Sequence, residues 1–168
     1  ELKSIKNNLI DEIYQEKKLK RKKFYSLKNK SVGEDYKTKI KKILKVLKLK
    51  KADYLFVSAP ENVAWLMNIR GHDNPNSPIP NCRLLVGKNK ELFLITEERI
   101  ASNIINEKKL KKNQVINPKK FQNLIEKLDG NRFIIDSLSC SIQNKNIIQL
   151  NFDIIEETDP CYQLKAIK

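Results

Sequence analysis

Residues 52–80 read ADYLFVSAPENVAWLMNIRGHDNPNSPIP, and this stretch decides the fold. Its first part, Tyr54–Ser58, is a short continuous apolar run, which is typical of a strand buried on both faces. Pro60 favours the first position of a helix, because its missing N–H would have no helical partner there. The predicted helix extends over residues 61–68. Residues 71–80 contain three prolines and one glycine, so we predict a loop there.

Downstream of this stretch, short apolar runs alternate with amphipathic segments. Two such runs, Arg83–Gly87 and Glu91–Ile95, flank residues 88–90 and predict a β-hairpin. The later elements are predicted as a helix from an N-cap at Thr96 towards Lys108, a strand at Gln114–Ile116, a helix over Phe121–Leu128 with Gly130 at its C′ position, a strand at Phe133–Asp136, a helix over 139–148 and a strand at Phe152–Ile155. This alternation predicts an α/β fold with a mixed β-sheet flanked by helices on both faces.

The first third of the chain is basic and has helical periodicity. Apolar residues at helical spacing predict an amphipathic helix over residues 2–14 and a second helix from Glu34 to about Lys50. Residues 15–33 between them form a predicted basic connector that ends at Gly33.

The net charge of +14 invites comparison with nucleic-acid-binding proteins. Lys accounts for 29 of the 34 basic residues, and Arg, which is favoured for bidentate phosphate and base contacts, for 5. Residues 1–51 hold 18 basic and 6 acidic side chains, a net of +12, whereas residues 52–168 hold 16 and 14, a net of +2. Two interpretations stay open: a solvated basic flank that meets an acidic neighbouring domain, and a nucleic-acid-binding arm. The scarcity of Arg and of interleaved aromatic residues favours the flank.

The sequence lacks the motifs of a self-contained active site. His72 is the only histidine, and no G-x-S-x-G motif accompanies it. The four glycines are isolated, so neither a dinucleotide-binding turn nor a phosphate-binding loop can form. The three cysteines are odd in number and widely spaced, which argues against a disulfide framework and favours the cytoplasm. No apolar run approaches the roughly 18 residues of a membrane helix. We therefore predict that the chain alone does not turn over substrate.

Three segments resemble motifs of one known family. Residues 61–73, ENVAWLMNIRGHD, are similar to the segment D/E-x-[IV]-A-W-L-x-N-[IL]-R-G-x-D of three-domain Xaa-Pro aminopeptidases (aminopeptidase P, in the creatinase/prolidase superfamily). Residues 159–168, DPCYQLKAIK, resemble the connector D-P-[CV]-x-x-x-K-A-x-K that leads into the catalytic domain of those enzymes. Residues 8–14, NLIDEIY, resemble N-L-[IV]-D-x-[IV]-W, with Tyr14 in place of Trp and without the Arg-Pro that usually follows. The chain thus resembles the middle, creatinase/prolidase N-terminal-like domain.

The resemblance implies a function for the whole protein. Such enzymes remove the N-terminal residue of a peptide whose second residue is proline. They use two divalent metals, usually manganese, in a C-terminal catalytic domain, and a bridging hydroxide attacks the carbonyl. None of those ligand motifs lies in this chain, so the resemblance implies no metal here. The implied partners are the N-terminal and catalytic domains of the same chain, a proline-containing peptide and a homodimer of the parent protein. Neither nucleic acid nor a membrane is an expected partner.

Six residues of the 61–73 segment are candidates for a role. Arg70, His72 and Asp73 open the proline-rich loop, and we expect them to contact substrate or shape its pocket near the mouth of the active site. An alternative is that Arg70 pairs with Asp73 to pin the loop. The other three are expected to be structural or interdomain residues, with Gly71 supplying special backbone angles: Trp65, Asn68 and Gly71.

The domain division follows from these patterns. We assign residues 1–33 to a helix and basic connector from the preceding domain, 34–158 to a single α/β domain and 159–168 to a connector toward a catalytic domain. The chain starts at Glu1 inside a predicted helix and stops at Lys168, so we expect both ends to be boundaries within a longer protein. We expect an exposed apolar surface around Trp65, residues 71–80 and the connector. A pure dimerisation domain remains a further interpretation.

Overall fold

A computed structural model describes Ile10, residues 21–107 and residues 109–166. Of the predicted helix over residues 2–14 and the motif at 8–14, only Ile10 lies in the described part, and Ile10 is helical. The strands are β1 (Tyr25–Ser26), β2 (Tyr54–Val57), β3 (Ile69–Arg70), β4 (Arg83–Gly87), β5 (Leu92–Ile95), β6 (Val115–Ile116), β7 (Arg132–Ile135) and β8 (Asp153–Glu156). The α-helices from residue 21 onward are α1 (Tyr36–Lys50), α2 (Pro60–Met67), α3 (Glu98–Asn106), α4 (Phe121–Ile125), α5 (Ile142–Gln149) and α6 (Pro160–Ala166).

Strand β2 lies near the centre of a six-stranded sheet of order β6-β5-β4-β2-β7-β8. It pairs antiparallel with β4 and parallel with β7, while β4 and β5 form the predicted hairpin. The outer pairs, β5 with β6 and β7 with β8, are parallel. All four residues of β2 are buried, as its continuous apolar sequence predicts. The prediction of a mixed sheet is therefore confirmed.

Alternate residues of β2 enter two different cores. Leu55 and Val57 pack with helices α1, α2 and α3 on one face, whereas Tyr54 and Phe56 pack with α4 and α5 on the other. This separation follows from the two-residue period of a strand. Each buried large apolar side chain stabilises the fold by about 1.5–3 kcal/mol. Both faces of the sheet are thus covered by helices, as predicted.

Several predicted helix ends differ from the structure; helix α5, for example, begins at Ile142 and not at residue 139. Glu97, not Thr96, occupies the N-cap position of α3, and Thr96 is buried with its hydroxyl oxygen unpaired in the described part of the chain. Helix α4 ends at Ile125, so Gly130 lies well beyond its C′ position. Helix α1 begins after Asp35, whose carboxylate accepts the N–H of Lys37 at 2.8 Å. Local patterns located these helices, but burial and neighbouring turns decided their ends.

The carboxylate of Asp53 joins β2 to the turn before β7. It accepts the backbone N–H groups of Asn131 and Arg132 at 2.7 and 2.9 Å and pairs with Lys88. Burial would raise the pKa of Asp53, but Lys88 and the two N–H donors outweigh it and lower that pKa to about 2. A Cβ atom at Gly130 would lie 2.9 Å from Cγ of Asp53, and the φ angle of Gly130 is +151°. Glycine is therefore required at residue 130 for close approach to a carboxylate.

Residues 21–28 pack on the α/β domain. Phe24 is fully buried, and its N–H donates to the carbonyl oxygen of Ile100 at 2.9 Å. Strand β1 pairs antiparallel with β3, so Tyr25 lies opposite Arg70. This part of the predicted connector therefore lies against the loop that carries the candidate site.

Candidate functional site

Helix α2 ends at Asn68, which has the left-handed backbone of a C-cap, with φ 52° and ψ 43°. Its side chain is buried and bonded at both ends. Nδ2 donates to the carbonyl oxygen of Glu34 at 2.9 Å, and Oδ1 accepts from Nζ of Lys39 at 2.6 Å. Asn68 therefore holds the end of α2 against α1. It supports the loop that follows rather than facing solvent.

Trp65 lies half-buried on the last turn of α2 and packs against the core. The Lys39 ammonium lies 4.5 Å from the centre of the indole ring and donates to the Trp65 carbonyl oxygen at 2.8 Å. Burial is the main cause that lowers the pKa of Lys39. Sequence reasoning did not single out Lys39, because a buried lysine in a lysine-rich helix leaves no distinct signal.

Arg70 ends strand β3 and is half-buried. Its Nη1 donates to the carbonyl oxygens of Ala64 and Ile69, at 3.1 and 2.8 Å. Its Nε and Nη2 have no bonding partner among the described residues. A guanidinium held at one end can still donate two N–H bonds to a carboxylate or peptide carbonyl.

The partner of Asp73 is Arg21, and the alternative pairing of Arg70 with Asp73 is wrong. Nε and Nη2 of Arg21 lie 2.8 and 2.9 Å from the two carboxylate oxygens. Asp73 also accepts the N–H of Asn81 at 2.7 Å, and Arg21 donates to the Asn81 carbonyl oxygen at 3.0 Å. Burial would raise the pKa of Asp73, but Arg21 and the Asn81 N–H lower it. Asp73 thus ties both ends of the loop to residue 21. Arg21 is the sole arginine in a run of lysines, and this was the signal in the sequence from which the pair could have been predicted.

His72 is exposed and lies against Tyr25, with 5.2 Å between the ring centres. The three predicted substrate-facing residues lie within four positions of the chain but differ in their contacts. Asp73 pairs with Arg21. Arg70 uses only Nη1 in bonds to the domain, and His72 is exposed to solvent.

Gly71 is required for space and not for the backbone angles that its sequence position suggested. Its φ lies outside the left-handed region. A Cβ atom at this position would lie 2.7 Å from Cα of Pro80, and its N–H donates to the carbonyl oxygen of Pro78 at 2.9 Å. The two ends of the proline-rich loop therefore touch at Gly71.

Replacement of Gly71 with alanine is expected to lower the free energy of unfolding by about 1–3 kcal/mol, because backbone atoms of Pro80 must move. Chemical denaturation measures this loss. Gly33→Ala is the matched control, since no atom lies within 4 Å of a Cβ there. Equal stability of the two variants would contradict the close-approach explanation.

A second polar cluster, which sequence reasoning missed, joins helix α6 to helix α2. Asn62 is fully buried: its Nδ2 donates to Asp159 at 2.7 Å, and its Oδ1 accepts from Nζ of Lys165 at 2.6 Å. Asp159 also accepts the N–H of Cys161 at 2.9 Å, and burial is the main cause that raises its pKa. On the surface, the Tyr162 hydroxyl donates to Glu61 at 2.8 Å. Residues 159–166 are thus bonded to the domain.

Most of the large exposed apolar side chains that the structure describes lie outside the regions where an exposed apolar surface was predicted. Trp65 is half-buried, and much of the exposed surface at residues 71–80 is polar or proline. Of the predicted regions, only the connector carries a large exposed apolar side chain, Tyr162. The other large exposed apolar residues in the described part are Ile10, Leu49, Leu138, Ile142 and Leu150.

The described residues also bear on metal binding and on membrane insertion. No three or more His, Cys, Asp or Glu side chains there are placed together to hold a metal ion. None of the helices described combines the length and apolar character that crossing a bilayer requires.

The sequence profile of the creatinase/prolidase N-terminal domain matches residues 15–168. Xaa-Pro aminopeptidase 1 of Dictyostelium discoideum is 28% identical over 149 residues, which cover 86% of this chain and 23% of that protein. The chain thus spans less than a quarter of this relative.

Solved structures share the fold. X-prolyl aminopeptidase of Caenorhabditis elegans, a cytosolic enzyme with a di-nuclear active site, matches with a TM-score of 0.75 and 20% identity over 91% of this chain and 26% of that chain. The N-terminal domain of the cytoplasmic peptidase PepQ of Mycobacterium tuberculosis matches with a TM-score of 0.57 and 14% identity, over 76% and 98%. At these identities the likeness shows the fold alone.

Proposed function

This chain belongs to the creatinase/prolidase N-terminal domain family, and from that premise we propose that it is the non-catalytic domain of a metal-dependent Xaa-Pro aminopeptidase. The parent enzyme removes the N-terminal residue that precedes proline. The family match over residues 15–168 carries the proposal. A curated relative named as an Xaa-Pro aminopeptidase, of which this chain spans 23%, supports it.

The proposed task of this domain is interdomain packing and part of the substrate cleft. Arg70 offers Nε and Nη2 to a peptide carbonyl or carboxylate, and exposed His72 follows two residues later. Asp73 positions the loop through Arg21 and Asn81. Trp65, Asn68 and Gly71 hold the end of α2 and the start of the loop in place. Arg70 is thus the group that we assign to substrate.

The remaining parts of the proposal concern the parent protein. Its N-terminal and catalytic domains are the partners of this domain, its substrate is a proline-containing peptide, and it forms a homodimer in the cytoplasm. We assign its two divalent metals, with manganese as the proposed identity, to the catalytic domain. The di-nuclear site of the Caenorhabditis enzyme supports two metals.

A peptidase assay on an Xaa-Pro-Xaa peptide with added manganese tests the proposal. The 168-residue chain is compared with the polypeptide extended past Lys168 by its natural sequence. We expect cleavage by the longer polypeptide alone. Cleavage by the 168-residue chain, or none by a folded longer polypeptide, would overturn the proposal.

In the longer polypeptide, Arg70→Met is expected to lower kcat/KM by about tenfold or more, because a charged hydrogen bond to substrate contributes about 1.5–3 kcal/mol. Steady-state kinetics measure the change. Arg132→Met is the matched control, since Arg132 is exposed on β7 and donates to the carbonyl oxygen of Lys50. Unfolding curves of both variants separate lost stability from lost activity. Equal kcat/KM values for the two variants would contradict the assignment of Arg70 to substrate binding.

A further inference from the structure

Exposed lysines follow helix α1 along one side and meet another lysine at the β4–β5 turn. We call this surface the lysine face: Lys37, Lys41, Lys45, Lys48, Lys51 and Lys90. None of these six makes an ion pair within the described residues. The nearby carboxylates of Asp53 and Asp35 are already bonded, since Asp53 pairs with Lys88 on this surface and Asp35 caps α1. Like charges at this helical spacing destabilise the helix slightly, so a bound anion would relieve that repulsion.

An apolar groove runs between α1 and the β4–β5 hairpin, within the lysine face. Its volume is about 270 Å³. Half of its lining side chains are apolar or aromatic: Tyr36, Ile40, Leu44 and Leu92. The other half are lysines: Lys37, Lys41, Lys90 and Lys109. The groove therefore combines space for an apolar side chain with positive charge around it.

The lysine face continues beyond this groove. Leu44 also lines a second cavity of about 610 Å³, whose lysines are Lys45, Lys48, Lys51 and Lys88. The two cavities thus follow α1 one after the other. Lysines four residues apart rise about 6 Å along a helix, and alternate side chains of an extended strand lie about 6.6 Å apart. An extended peptide with an acidic residue at every second position therefore matches the row of lysines.

The composition of this surface favours a protein segment over nucleic acid. No arginine lines either cavity, and arginine is the residue that recognises phosphate bidentately. Among the described residues that line the two cavities, Tyr36 is the only one with a ring. It is half-buried, with Nζ of Lys109 5.4 Å from its centre, so the described lining has no row of exposed rings on which bases could stack. An apolar groove has no matching group on a phosphate backbone. It does match an apolar side chain placed between carboxylates.

We propose that the lysine face binds an extended acidic segment of a protein partner, with one large apolar side chain in the groove and Asp or Glu on both sides paired with the lysines. The surface shares no residue with the Arg70 site or the α6 cluster. The inference therefore goes beyond the proposed peptidase function and does not depend on it.

The test measures binding of labelled peptides to the 168-residue chain by fluorescence anisotropy at low and high salt. The probe is a peptide with a central leucine flanked by alternating Asp or Glu residues. One comparison peptide has serine at the centre, and a single-stranded RNA of equal charge is the second comparison. We expect saturable binding of the leucine peptide that weakens with salt, and weaker binding of both comparisons.

Lys37→Glu/Lys41→Glu is expected to lower the affinity for the leucine peptide about tenfold, because two attractive pairs become repulsive. Glutamate near the start of α1 is favourable for that helix, so the variant should fold. Lys120→Glu/Lys127→Glu, with the same charge change on exposed residues outside both cavities, is the control and should change affinity less than about twofold. Equal losses in both variants, equal affinity for the serine peptide, tighter binding of RNA, or no saturable binding would each overturn the inference.

Discussion

Replacing Phe133 with alanine is expected to lower the free energy of unfolding by about 3–5 kcal/mol. Phe133 is fully buried in β7, the strand that pairs with β2. Its ring stacks on Tyr54 at 5.2 Å and meets Phe152 edge-on, also at 5.2 Å. Truncation removes apolar area, leaves a cavity and ends both ring contacts, and each loss destabilises the fold. Urea denaturation, read by circular dichroism, measures the change.

Phe133→Leu is the control for this prediction, since leucine keeps most of the volume and retains burial. We expect it to cost markedly less than the alanine variant. Both variants lose the ring contacts, so the difference between them reports the cavity and the lost apolar area. A loss below about 1 kcal/mol for Phe133→Ala would mean that the core between the sheet and helices α4 and α5 relaxes to fill the space.

The second large effect is expected for Asn62→Leu, with a loss of about 3 kcal/mol. Leucine has a branched side chain of similar shape but lacks the donor to Asp159 and the acceptor of Lys165. A buried carboxylate is then left with fewer partners, and the connection between α2 and α6 is lost. Denaturation measures the stability, and hydrogen exchange of residues 160–166 measures the release of α6.

Two further variants separate this cluster from its surroundings. Tyr162→Phe removes the exposed bond to Glu61 and should cost less than about 1 kcal/mol. Asp159→Asn in the Asn62→Leu background removes the isolated charge and should recover part of the lost stability, which a double-mutant cycle quantifies. Unchanged protection of α6 in Asn62→Leu would show that other contacts hold this helix.

The sequence predicted the layers of the fold because the relevant signals are local. Tyr54–Ser58 is apolar at every position except its last, and Pro60 marks the next helix, so strand and helix could be placed from neighbouring residues. The prediction that Thr96 is the N-cap of helix α3 was wrong because of a tertiary contact. The residue is buried beside the sheet, and its N–H bonds to the carbonyl oxygen of Ile116, which lies far along the chain.

The pairing of the candidate site residues was not predictable from the sequence. The 61–73 segment predicted that a loop opens near Arg70, and the structure has Arg70 at the end of β3 with Gly71 and Asp73 in the loop that follows. The partner of Asp73 is 52 residues away at Arg21, and no local rule selects it from the other basic residues. Gly71 was expected to relieve backbone angles, whereas the obstacle is Pro80 from the far end of the loop. Contacts between distant residues decide such details, and a single sequence does not encode them visibly.

Trp65 is the only tryptophan of the chain, and this gives the molecule a built-in optical reporter. Excitation selective for indole therefore reads one environment, the last turn of α2. That environment contains the Lys39 ammonium at 4.5 Å and lies next to Ala64, whose carbonyl oxygen holds Arg70. Any peptide or neighbouring domain that draws Arg70 away, or that covers the end of α2, should alter the emission wavelength or its quenching. Occupancy of this site can thus be followed in unlabelled protein, with Trp65→Phe as the blank.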